Sequence, residues 1–413
     1  MASTLPNIAL LTPIRWNLLV LCLLLSAASH SAEDVEERPS FGILYTVWVK
    51  PEQKSATVKV RISRRSEWVD QIQLSIEPGR HSKFLGSGIL LVEGDKVTWK
   101  PPLEDAWMQF DVALESRRRG GRYDGYITED WALFRADDLV PPFRSSFEDF
   151  TQSQAKLQFH LPEGWSVETR YPRYRSGRFK VDDIDRWVDR PTGWVIMGKI
   201  GTRREKIGNT SVAVSAPVGQ GVDRMDIVAF LRWTIPTLQD IFPRFPERLL
   251  LVSAGEPMWR GALSGPNSLF VHADRPLISG NSTSTFLHEL VHVAMSAKAG
   301  EMADWIVEGL AEYYSLEVLR RSGTISEQRF EKAHADLAEW GAEVKNLEVD
   351  RSHGPITAKA VGVLRDIDRS IRSDSAGTHS LDDVVRALAA EDAPITRERF
   401  NELVAKAASS GEI

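Results

Sequence analysis

The sequence predicts an α+β fold, in which an antiparallel β-sandwich or saddle-like domain precedes a mainly helical domain. Short segments of alternating or β-branched residues recur over 41–217, and Gly and Pro mark the turns between them. After Asp223 the apolar residues recur at helical spacing, and several segments begin with Ser or Thr as candidate N-caps. This change of pattern predicts a β-rich domain over 41–217 and a second domain over 218–413.

Length and composition exclude several classes of protein. The chain has 413 residues, which is too long for one small domain, and its net charge is −6. A general nucleic-acid binder needs a surplus of Lys and Arg, so no nucleic-acid partner is expected. The single Cys excludes a disulfide framework and a zinc cluster held by thiolates.

The first 32 residues have the layout of a secretory signal peptide. Arg15 precedes a short apolar run over 16–25, and small residues follow as far as Ala32. The run is shorter than the about 20 apolar residues that span a bilayer, so we expect cleavage and no stable membrane insertion. A flexible lead-in is expected over 33–40. Cys22 lies in the removed segment, and an exported protein without disulfides indicates a periplasmic or extracellular location in a bacterium.

One short motif carries the chemistry of the second domain. His288-Glu289-Leu290-Val291-His292 is an H-E-x-x-H pattern within an apolar stretch. In a helix the two histidines project from the same face one turn apart, and two neutral imidazoles can reach one Zn²⁺. Glu289 is then placed to act as general base on a water at the metal. Two histidines on a half-buried helix face can also be structural, so the motif alone leaves both alternatives open.

The following amphipathic segment, over 303–314, supplies two carboxylates on one helix face. Glu308 and Glu312 are four residues apart. A catalytic zinc site needs a third protein ligand and an open position for water, and Glu308 can supply that ligand. Glu312 can accept the outer N–H of a ligating histidine and fix its tautomer. The alternative for Glu312 is a charge that faces solvent.

The motif HELVH followed by WIVEGLAEYY resembles the gluzincin zinc metallopeptidases, above all the glycyl-aminopeptidase-like and leucyl-aminopeptidase-like branches. The resemblance implies one Zn²⁺ per chain, held by His288, His292 and Glu308. It also implies a thermolysin-like, mainly helical zincin domain, in which Glu312 contacts a metal ligand on the side away from the metal. The resemblance is specific over 250–320 and less detailed over 355–390. Elsewhere it concerns only the general architecture.

One departure from those branches concerns the oxyanion donor. They place a Tyr just before the start of a later helix, and the corresponding start at Lys359 puts Thr357 in that place. A Thr hydroxyl is shorter and less acidic, and loss of one oxyanion donor typically costs about 10²–10³ in rate. Tyr313, Tyr314 and His353 are the other candidate donors, and each can equally be structural.

The segment over 256–265 precedes a short strand, and by position it corresponds to the edge strand along which gluzincins bind the substrate backbone. The G-x-M-E-N box, whose Glu holds the substrate amino terminus, is absent, and Glu256 or Asp274 could replace that Glu. His272 is not expected to be a ligand because three ligands are already assigned. The arginine triplet over 117–119 is expected to be a solvated turn rather than an anion site.

These patterns predict an exported zinc-dependent metallopeptidase that acts on a peptide or protein substrate. A zinc-activated water would attack the peptide bond with Glu289 as general base, and the resemblance favours an aminopeptidase over an endopeptidase. The alternative is a zincin-like envelope protein that keeps the zinc site, has little or no catalysis, and binds peptides or partner proteins. Thr357 favours this alternative, and the intact Glu289 disfavours it. A His/Glu cluster without metal is disfavoured by Glu308.

Overall fold

A sheet-rich N-terminal part and a mainly helical C-terminal part follow one another along the chain, as the sequence predicted. The computed structural model describes residues 39–182 and 188–409, and the predicted signal segment over 1–32 lies outside them. The described residues form twenty β-strands and eight α-helices. The first strand begins at Ser40, the last residue of the predicted lead-in.

The strands of the sheet-rich part are β1 (Ser40–Lys50), β2 (Ser55–Arg64), β3 (Val69–Ser75), β4 (His81–Gly86), β5 (Ile89–Glu93), β6 (Lys96–Lys100), β7 (Trp107–Ala113), β8 (Ser116–Arg117), β9 (Tyr123–Ile127), β10 (Trp131–Arg135), β11 (Phe143–Phe147), β12 (Gln152–His160), β13 (Ser166–Thr169), β14 (Phe179–Val181) and β15 (Trp194–Gly198). The later strands are β16 (Ile200–Ile207), β17 (Thr210–Pro217), β18 (Arg248–Ala254), β19 (Ala262–Gly265) and β20 (Ser268–His272).

The helices are α1 (Ala136–Leu139), α2 (Arg224–Ile241), α3 (Thr285–Met295), α4 (Asp304–Arg321), α5 (Glu327–Trp340), α6 (Pro355–Asp374), α7 (Leu381–Ala390) and α8 (Arg397–Ala408). Within the described ranges, none of them combines the length and the apolar character that crossing a bilayer requires.

Three sheets build the N-terminal part, in the strand orders β14-β12-β1-β2-β7-β4, β13-β15-β10-β9-β8 and β11-β3-β6-β5. Side chains alternate between the core and solvent along β2 and β7, as a half-buried antiparallel sheet requires. One pair differs from the predicted antiparallel arrangement, because β1 and β12 run parallel from Ser40 opposite Gln152 to Trp48 opposite His160. Parallel neighbours need a long crossover, and the chain from β2 to β11 provides it.

The fourth sheet has the order β16-β17-β18-β20-β19 and lies beside the helices. Strands β17, β18 and β20 pair in parallel, and β18 is buried along almost its whole length because both of its faces are covered. Strand β19 pairs with β20 alone and forms an edge, as predicted for this segment. Strand β17 pairs with β18, and β16 pairs with β17, although both strands precede residue 218, so the domain boundary stays a prediction.

A small apolar core joins the sheet-rich part to the fourth sheet. Trp131, Trp194 and neighbouring side chains of β10 and β15 pack against buried residues of β18 and β20. The backbone N–H of Trp194 donates to Ser268 Oγ at 2.9 Å, and its indole N–H donates to the Leu263 carbonyl at 2.9 Å. The N-terminal part therefore contacts and fixes the edge strand β19 directly.

A side-chain cap fixes the start of α3, and α4 packs closely against α6 at a glycine. Ser284 caps α3, since its Oγ accepts from the Leu287 N–H at 3.3 Å and donates to the Leu277 carbonyl at 2.7 Å. In α4, a Cβ added to Gly309 would lie 2.7 Å from the Ala360 Cβ of α6. The glycine therefore sets the distance between α4 and α6, next to Glu308.

A Gly309→Ala substitution is expected to destabilise the protein by about 1–3 kcal/mol, because the added methyl forces α4 and α6 apart. The clash outweighs the gain of about 1 kcal/mol in helix propensity. Gly362 in α6 is the matched control, since an added Cβ there meets nothing within 4 Å. Gly362→Ala is expected to stabilise. The midpoint of urea denaturation measures the stability of each variant. Equal shifts of the midpoint in the two variants would contradict the close approach of α4 to α6.

Candidate metal centre

Donor groups of three side chains from α3 and α4 converge on one point. The two imidazole nitrogens, His288 Nε2 and His292 Nε2, lie 3.1 Å apart. Glu308 from α4 places one carboxylate oxygen 3.3 Å from His288 Nε2 and the other 3.5 Å from His292 Nε2. The helical spacing within α3 and the packing of α4 against it produce this arrangement.

The spacing of these donors fits a zinc ion. Ligands at about 2.0–2.1 Å from a tetrahedral zinc are about 3.3 Å from one another, which the observed distances match. Two imidazoles and one carboxylate form a donor set that zinc prefers. The side chains of His288, His292 and Glu308 are 17%, 15% and 31% exposed, so the cluster opens to solvent on one side. A fourth, exchangeable position is therefore compatible with this site.

The electrostatics of the cluster favour a cation. Burial lowers the pKa of His288, but hydrogen bonds to Glu308 and Glu312 more than offset this and raise that pKa to about 10. Burial likewise raises the pKa of Glu308, yet its hydrogen bonds to His288 and His292 hold it well below its usual range. In the metal-free protein a proton on His288 therefore supplies the positive charge that the carboxylates attract, and a metal ion would displace that proton.

Glu312 lies one turn after Glu308 and contacts the far side of a histidine. Its Oε2 accepts a hydrogen bond from His288 Nδ1 at 2.9 Å. Because an ionised carboxylate can only accept, the hydrogen sits on Nδ1. In the neutral imidazole this leaves the lone pair on Nε2, which faces His292 and Glu308. Glu312 thus orients His288 in the way expected of an outer partner of a metal ligand.

Glu289 connects the histidine helix to the edge strand. Its Oε2 accepts a hydrogen bond from the backbone N–H of Ser264 in β19 at 2.7 Å. The Glu289 carboxylate therefore lies against the edge strand of the sheet. Sequence reasoning did not identify Ser264. Its only signal was its place in the segment over 256–265, which was predicted to correspond to the edge strand.

The candidate oxyanion donors have other environments. The Tyr314 hydroxyl donates to Asp382 at 3.0 Å, and Tyr313 is 2% exposed with its ring edge-on to His334. Burial raises the pKa of both phenols well above the usual range. Thr357 lies in the first turn of α6, and His353 is exposed just before that helix.

The two candidate carboxylates for the substrate amino terminus are engaged with arginines. Glu256 pairs with Arg122 and with Arg260, the latter at 2.7 Å. Asp274 lies 3.8 Å from Arg260. His272 is 1% exposed, and its Nδ1 accepts from the Asp274 N–H at 3.1 Å. Ligand atoms of Glu256, His272 and Asp274 lie within 4.8 Å of one another, but the arginines neutralise the carboxylates and oppose a cation there.

Comparison with solved structures identifies the fold. An aminopeptidase N family protein from Idiomarina loihiensis has a TM-score of 0.63 at 16% identity and covers 89% of this chain and 71% of its own. An M1 zinc metallopeptidase from Deinococcus radiodurans has a TM-score of 0.53 at 17% identity, with coverages of 90% and 91%. The chain has the fold of an M1 zinc metallopeptidase. A two-domain M1 zinc metallopeptidase mutant bound to L-arginine is also similar, with a TM-score of 0.55 at 18% identity and coverages of 90% and 91%.

No protein-family model matches the sequence, and a search of curated proteins found no match either. At identities of 16–18% the M1 likeness concerns the fold alone. At that level the predicted resemblance to the gluzincin aminopeptidases is confirmed. So is the predicted α+β class, with its sheet-rich N-terminal part and helical C-terminal part.

Proposed function

We propose that the protein is a zinc-dependent peptidase, and that it acts as an aminopeptidase rather than as an endopeptidase. The observation that supports this most is the convergence of His288, His292 and Glu308 donors at 3.1–3.5 Å, with Glu289 following His288 directly in α3. The M1 fold adds to it, since zinc metallopeptidases and an aminopeptidase N family protein share that fold.

His288, His292 and Glu308 would hold the zinc, which when bound polarises a peptide carbonyl and activates water for attack. Glu289 accepts the proton of the attacking water and passes it to the leaving amine. The Ser264 N–H holds the Glu289 carboxylate in position. The substrate backbone adds as a further strand along the free edge of β19. Glu312 keeps His288 in the tautomer that ligation requires.

The finer features of the sequence prediction are part of this proposal. We propose a thermolysin-like catalytic domain over 218–413, a β-rich domain over 41–217, and export after removal of residues 1–32. The charged, apolar and small-residue layout of 1–32 supports export, with a periplasmic or extracellular location in a bacterium. The N-terminal residue of the mature protein tests it, because an intact Met1 would contradict cleavage.

The central experiment measures zinc content and hydrolysis of a peptide library in the same preparation. One zinc per chain, loss of hydrolysis on chelation and its return with added zinc would support the proposal. A protein that binds no zinc, or whose hydrolysis survives chelation, would refute it. Peptides with free and acetylated amino termini serve as the comparison for exopeptidase action. Equal cleavage of both would favour an endopeptidase.

A second candidate is a zincin-like protein that binds peptides or partner proteins with little or no catalysis. The observation that favours it is the placement of the tyrosines, since Tyr314 donates its hydroxyl to Asp382 and Tyr313 is buried against His334. Thr357 in place of the expected Tyr also favours it. Zinc binding without hydrolysis of any library peptide would support this candidate over the first.

A further inference from the structure

A hairpin of the sheet-rich part carries the sequence RRRGGR at its tip, over 117–122, and is called here the arginine hairpin. Its strands β8 and β9 end one of the N-terminal sheets. The hairpin contacts the segment that leads into the edge strand. Tyr123 N–H donates to the Pro257 carbonyl at 3.2 Å, and the Trp259 N–H donates to the Tyr123 carbonyl at 2.7 Å. The arginine hairpin therefore lies at the upstream end of β19.

An aromatic ring and a guanidinium close that end of the edge strand. The indole of Trp259 lies directly against the backbone of Gly261, where a Cβ would collide with the ring. The Arg118 guanidinium stacks on the same indole, 3.9 Å from a ring centroid. Ser264, which contacts Glu289, follows Gly261 by three residues, or about 10 Å of extended chain. A peptide paired with β19 thus meets this wall about three residues from the bond beside Glu289.

Cationic groups outnumber acids around the wall. The arginines are Arg117, Arg118, Arg119, Arg122, Arg260 and Arg275, and the neighbouring acids are Asp124, Glu256 and Asp274. In the described part of the chain, Arg119 makes no hydrogen bond or ion pair, and it is exposed. The Arg275 side chain donates to the Arg260 carbonyl at 2.8 Å, and it forms no ion pair with the described residues. This positive surface contrasts with the net charge of −6 of the whole chain.

We propose that the arginine hairpin binds a carboxylate of the peptide substrate about three residues from the cleaved bond, so that short acidic peptides are the preferred substrate class. This inference rests on the proposed peptidase function. The Arg118 guanidinium is held by the Trp259 indole and by Asp124, which lies 3.4 Å from its Nε, and its two terminal nitrogens are the groups that would donate paired hydrogen bonds to a carboxylate. The carboxylate can be the end of the peptide chain or an Asp or Glu side chain. The expected solvated turn over 117–119 thereby gains a role that depends on its contact with Trp259.

Three tetrapeptide series test the proposal: one with a free C-terminal carboxylate, one with a neutral C-terminal amide, and one with Glu before a C-terminal amide. Wild-type kcat/KM is expected to be about tenfold higher for the carboxylate-bearing series than for the neutral amide. Arg118→Gln, and the double variant Arg117→Glu with Arg119→Glu, are expected to reduce this preference to about twofold or less. Added salt should weaken it in the wild type. Comparison of the series with a free C-terminal carboxylate and the series with Glu shows whether the chain end or an acidic side chain supplies the bound carboxylate.

Arg175→Glu is the matched control, because Arg175 is exposed in another turn of the sheet-rich part and has no hydrogen bond or ion pair to the described residues. Its preference should equal that of the wild type. Equal kcat/KM for acidic and neutral peptides in the wild type would overturn the inference. A loss of this preference in Arg175→Glu as large as in the arginine-hairpin variants would overturn it as well. Calorimetric titration of zinc-loaded Glu289→Gln with the same peptides measures the preference as Kd. If no peptide is cleaved, the proposed peptidase function is refuted, and the difference in Kd between acidic and neutral peptides then decides this inference by itself.

Discussion

A Glu289→Gln variant is expected to lose about 10²–10⁴ of the wild-type kcat while it keeps one zinc per chain. The Gln side chain has the same length, and its carbonyl oxygen can still accept the Ser264 N–H that now contacts Glu289 at 2.7 Å. The substitution therefore removes the proton acceptor and leaves the histidines of α3 in place. Zinc content by elemental analysis and steady-state hydrolysis of a peptide from the library measure the two quantities on one sample.

Glu301→Gln provides the matched control for this prediction. Glu301 is an exposed carboxylate in the segment between α3 and α4, and the substitution changes the net charge by the same amount. Its kcat and zinc content should match those of the wild type. Full activity in Glu289→Gln would exclude Glu289 as the general base. Loss of zinc in that variant would instead show that Glu289 supports the ligands.

Zinc binding is expected to be lost almost completely in a Glu308→Ala variant. Glu308 supplies the only carboxylate within 3.5 Å of both histidine Nε2 atoms among the described residues. Its removal leaves two ligands, which is too few for a stable catalytic zinc site. Titration with zinc in competition with a chromophoric chelator measures the affinity, and hydrolysis should fall to background in parallel. Unchanged zinc affinity would refute the assignment of the third ligand.

Glu312 offers a graded comparison on the same helix. Glu312→Gln leaves all three ligands in place and weakens only the hydrogen bond to His288 Nδ1, now 2.9 Å. Such outer partners typically contribute about 10–100-fold to metal affinity, so this variant should bind zinc more weakly than wild type and more tightly than Glu308→Ala. An effect of Glu312→Gln as large as that of Glu308→Ala would place Glu312 among the ligands.

Much of the site could be predicted because its geometry is local. His288 and His292 share a face through helix geometry, which four residues of sequence define. Glu308 and Glu312 share a face of α4 for the same reason, although their arrival beside α3 depends on packing. The fold class followed from the same kind of signal, since alternating and helical patterns are visible within ten or twenty residues. The parallel pairing of β1 with β12 was not predictable, because the two strands are about 100 residues apart.

The sequence did not decide the roles of residues whose contact partners are distant along the chain. Tyr314 is a candidate oxyanion donor, and the contact of its hydroxyl with Asp382, 68 residues away, was not visible in the sequence. Glu256 was a candidate for the substrate amine, and its pairing with Arg122 and Arg260 was not visible. Ser264 had no chemical signal, since its backbone N–H rather than its side chain contacts Glu289.

The sequence by itself determined which residues are the candidates to hold a metal and to act as a base, because those residues lie within two helices whose periodicity fixes their faces. The tertiary structure alone decided what surrounds them: the edge strand at Glu289, the arginines at Glu256, and the arginine hairpin beside Trp259. The physical reason is range. Helix geometry fixes side-chain direction within a turn or two, whereas contacts between distant segments depend on how all the elements pack.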